Sequence, residues 1–130
     1  MTDTERNTLH ALYGVYNANG GLLGELAYVT GKLMKTAHCA LCDITHGWVR
    51  EKTTFTACRN TFSAPIHTVH INEQSDALAN YTAERTPCVV AETDAGFVML
   101  LDEEALEACN RSVDAFTHAL NAALHAHELD

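Results

Sequence analysis

The amino-acid sequence predicts an α/β fold, a single domain over residues 1–130 built on a mixed sheet of about four strands flanked by helices. Strand-like and helix-like patterns alternate along the chain, which implies a parallel strand pair joined through helices. Two later apolar runs, "TPCVVAE" and "FVMLL", are separated by "TDAG", with Gly96 at the turn of a tight antiparallel hairpin. Hydrophobic residues make up 47% of the chain and charged residues 19%, so a core can form without cross-links at this length.

Residues 9–17, "LHALYGVYN", are rich in leucine, valine and tyrosine and stop at "ANGG", a first strand running into a turn. From there Leu22, Leu26, Val29 and Leu33 recur at helical spacing, with Asn19 placed to cap the helix. Residues 36–47 form a second, short helix ending at Gly47, which suits a left-handed C-terminal position. Residues 50–62 are assigned to a further helix despite their β-branched residues, so about 36–64 is a helical insertion after the first helix. Pro65 precedes the second strand, "IHTVHIN", and Ser75 caps a helix over "DALANYTAE". After the hairpin, Asp102 caps a final helical region that restarts at Ser112. Its stripe is Leu106, Cys109, Val113, Phe116, Leu120 and Leu124.

With 8 basic and 17 acidic side chains the net charge is −9, which argues against nucleic acid or an anionic membrane as the main partner. The opening "MTDTERNTLH" lacks the layout of a secretory signal, and no apolar run approaches the roughly 20 residues a spanning helix needs. A soluble, cytoplasmic protein is expected. In a reducing compartment closely spaced cysteines serve as metal ligands or catalytic thiols more often than as structural disulfides, and five cysteines cannot all pair within one chain.

The order strand, helix, strand, helix, strand, strand, helix resembles the thioredoxin-like superfamily over nearly the whole chain. One local feature adds to the likeness: Thr86-Pro87 stands at the mouth of the third strand, where such proteins carry a cis-proline loop beside their active site. The resemblance implies a thioredoxin-like mixed sheet. It also implies an active site at the turn after the first strand, where typical members carry Cys-x-x-Cys. Here that turn reads Asn17-Ala18-Asn19-Gly20-Gly21-Leu22, and the Cys-x-x-Cys is displaced into the insertion. The layout "YNANGGLLGEL…HCALCDITHG" also resembles that of small bacterial proteins, a likeness that brings no activity with it.

The displaced pair lies in "HCALCDITHG", residues 38–47. On a helix at about 100° per residue, Cys42 falls about 60° from Cys39, Asp43 about 40° away on the other side, and His46 about 20° away. One narrow face then carries two thiols and an imidazole, although Cys39 to His46 spans about 10 Å along the axis. Thiolate and imidazole together favour zinc, with copper(I) as the rival. Cys39, Cys42 and His46 would be the ligands, His38 or Cys58 a fourth, and Asp43 a partner orienting His46. The same cysteines suit thiol–disulfide exchange, with Cys39 as nucleophile at a helix N-terminus, Cys42 as resolver and a thiol-containing partner protein. As a third alternative, both are small packed hydrophobes in an interaction module without chemistry.

Other residues carry weaker signals. Cys88 follows Pro87 and is either a lone reactive thiol or core, while Cys109 belongs to the apolar stripe. His67 and His70 fall on opposite faces of the second strand and cannot readily chelate together. Asn17, Asn19, Gly20 and Gly21 occupy a strand's carboxyl end, where open α/β sheets bind ligands. A phosphate-binding loop fails on spacing: six residues separate Gly24 from Gly31-Lys32, and Leu33 replaces the magnesium-binding hydroxyl.

Overall fold

The computed structural model describes residues 8–17, 40–45 and 52–129. It is an α/β structure with one four-stranded mixed sheet. The strands are β1 (Leu9–Val15), β2 (Ile66–Val69), β3 (Cys88–Thr93) and β4 (Gly96–Leu101). Helices α1 (Ala40–Thr45) and α2 (Thr53–Arg59) precede β2, and α3 (Asp76–Thr82) joins β2 to β3. After β4 come α4 (Glu103–Ala108) and α5 (Val113–Ala126). The sheet order is β2-β1-β3-β4, with β1 parallel to β2 and the other two pairs antiparallel.

Alternation along the strands divides their side chains between two cores. Leu12, Val89 and Ala91 face the larger one, where α1, α2, α4 and α5 contribute Leu41, Ile44, Phe55, Leu106, Phe116 and Leu120. Val15, Cys88 and Val90 face the smaller one, covered by Leu78 of α3 and fringed by Tyr13, Val69, Tyr81, Phe97 and Met99. Each large side chain buried this way contributes about 1.5–3 kcal/mol. Every residue of the expected C-terminal stripe is buried.

The caps expected at Ser75 and Asp102 are made, Ser112 caps the restarted last helix, and the cap expected at Asn19 lies outside the described residues. The Ser75, Asp102 and Ser112 side chains accept from the backbone N–H groups of Leu78, Ala105 and Ala115. Between α4 and α5 both Asn110 and Arg111 take positive φ, and Lys52 Nζ donates to the Arg111 carbonyl at 2.9 Å. The second strand is shorter than "IHTVHIN" suggests: it stops at Val69, and Ile71–Glu73 form a 3-10 turn. The reason is local. Glu73 reaches back to accept the His70 N–H at 2.8 Å, a capping arrangement that competes with extension of the strand. The expected first helix from Leu22 and most of the insertion's first half lie outside the described residues.

β4 is an edge strand of apolar sequence without a charge or proline to blunt it, the kind of edge that invites pairing with another chain. Tyr81 of α3 guards it. Its hydroxyl accepts the Met99 N–H at 2.9 Å, its ring packs against Phe97, and the Arg85 guanidinium lies 5.1 Å from the ring centroid. Tyr81→Phe is expected to lower stability by about 0.5–1.5 kcal/mol and to promote self-association. Denaturant unfolding and light scattering across a concentration series check both effects.

Among the described residues, no helix is long and apolar enough to cross a membrane.

Candidate functional site

α1 carries the middle of the Cys/His segment and lies against the sheet. Its Leu41 and Ile44 are buried in the larger core, and the approach to β1 is close. A Cβ on Gly14 would stand 3.2 Å from Leu41 Cδ2, so the glycine makes room for the helix. Thr45, at the end of α1, is fully buried, and its hydroxyl lies 2.9 Å from that of Tyr16, which follows β1. An unmade bond between two such buried hydroxyls would cost about 1–3 kcal/mol, so this contact fixes where α1 ends over the sheet.

Of the expected ligands, Cys42 stands on α1, half-buried at the margin of the larger core. His38, Cys39, His46 and the Asp43 side chain lie outside the described residues, as do Asn19, Gly20 and Gly21. Cys58 is on α2, 6% exposed, with its sulfur 2.9 Å from Thr117 Oγ1. The Thr117 hydroxyl hydrogen is already given to the Val113 carbonyl at 2.9 Å, so the Cys58 thiol is the donor in that pair. Among the described residues no three histidine, cysteine or carboxylate side chains cluster as a metal site would require.

The other two described cysteines are packed. Cys109 lies in the larger core and burial pushes its thiol pKa up. Cys88 opens β3 opposite Val15 and is completely buried. Its thiol is pushed up to about 12 by burial, against a smaller opposing pull from the Arg85 charge. Thiol chemistry needs the thiolate, so Cys88 is expected to resist alkylation at pH 8 in the folded protein and to react once denaturant is added. The linkage has a definite sign. The folded pKa exceeds the ordinary value of 9.0, so the contribution is whole below pH 9 and falls as pH rises from there toward 12. A denaturation series across that window checks it.

The carboxyl ends of the parallel strands hold an arrangement that the sequence reading missed. Tyr16 and His70 are the residues next beyond β1 and β2, and their ring centroids are 5.1 Å apart. His70 Nδ1 lies 2.7 Å from Glu73 Oε1, which also accepts the His70 N–H. Those bonds, the backbone one first, hold the Glu73 carboxyl below its ordinary pKa. His70 is thus past the strand's end rather than within it. Its partner is Tyr16, whereas exposed His67 packs its ring on Tyr13 at 5.3 Å. The spacing His-x-x-Glu just before a cap was the available signal.

Beside this pair the loop before β3 meets the end of β1: the Thr86 hydroxyl donates to Asn17 Oδ1 at 3.1 Å, and the Thr86-Pro87 bond is cis. Tyr16, Asn17, His70, Glu73 and Thr86 therefore gather at the end of the sheet where open α/β structures place ligands. A depression of about 400 Å³ shares Thr86 with this group and is otherwise lined by Arg85, Met99 and the carboxylates of Glu84, Asp102, Glu103 and Glu104.

No family model, curated protein or solved structure matches this chain.

Proposed function

We propose that the chain is a thioredoxin-like domain that binds a transition metal, zinc or copper(I), through Cys39, Cys42 and His46, in sensing, storage or delivery of that metal. Support for the fold comes from the strand order β2-β1-β3-β4, with one parallel and two antiparallel pairings, and from the Pro87 loop beside the end of β1. The observation that carries the function is the contrast among the described cysteines. Cys58, Cys88 and Cys109 are buried, whereas Cys42, in the Cys-x-x-Cys, stands half-buried at the core's margin.

Thiolate and imidazole donors suit zinc or copper(I), and an ion held by them would draw the proton from each thiol. His38 assists in this reading. Cys58, already donating to Thr117, is given to packing. The partner is the metal ion itself, in a protein of the cytoplasm.

Metal analysis of the untagged protein, paired with thiol titration before and after a chelator, tests the proposal. About one equivalent of metal, and two thiols that react only after chelation, is the expected result. A metal-free protein in which Cys39 and Cys42 form a reversible disulfide would replace it with thiol–disulfide exchange, Cys39 attacking and Cys42 resolving. Neither metal nor disulfide would leave an interaction module.

A further inference from the structure

We draw no further inference here: the strongest candidate, the depression between the loop before β3 and the start of α4, lined by the carboxylates of Glu84, Asp102, Glu103 and Glu104, rests on a cluster of exposed acidic side chains, and among the described residues no second observation points to a ligand for it.

Discussion

Cys42→Ser is expected to lower zinc affinity more than 100-fold while leaving the fold intact. A serine hydroxyl does not ionise near neutral pH, so the change removes a donor outright, and loss of a ligand exceeds the 10–100-fold cost of losing an outer partner. The side chain is half-buried at the core's edge, so the substitution leaves no cavity between packed elements. Competition against a chromophoric chelator gives the affinity, and a thermal melt of the metal-free variant gives the control. The same substitution at Cys109, buried in the larger core, has the opposite profile: stability falls and affinity holds. Equal zinc affinity in Cys42→Ser and wild-type protein would remove Cys42 from the ligand set.

Phe116→Ala is expected to cost about 3–5 kcal/mol, a large part of the 5–15 kcal/mol by which domains are stable. Phe116 projects from α5 at 1% exposure, and its ring meets Phe55 of α2 edge-on at 5.9 Å. Truncation therefore removes apolar contact from both helices and opens a cavity on the sheet's main face. Urea unfolding followed by circular dichroism measures the loss, with a lower midpoint and an unchanged slope. A cost below about 1 kcal/mol would mean that α5 is not packed on α2 as described.

Much of the frame was legible because its signals are short-range. Ser75, Asp102 and Ser112 each sit three residues before the N–H they cap, and the α5 stripe follows the helical period. The hairpin was announced by its turn, where Gly96 takes a φ of 114°. Parallel pairing of β1 with β2 followed from the helices between them.

What escaped the sequence reading depends on distant partners. Nothing near Tyr81 indicates that its hydroxyl covers the β4 edge eighteen residues on, or near Tyr16 that it meets Thr45. The end of β2 was misplaced because His70 and Glu73 were read as strand and loop, although their spacing forms a cap. The candidate residues were therefore legible only in part. The cysteines stood out by spacing, while the histidine–carboxylate pair at the sheet's end emerged only when the strands were aligned.

X-ray absorption at the zinc edge of the loaded protein tests the central claim most directly. The account predicts a four-coordinate shell with two sulfurs near 2.3 Å and two nitrogens at about 2.0–2.1 Å. A shell of nitrogen and oxygen alone, without sulfur, would contradict it.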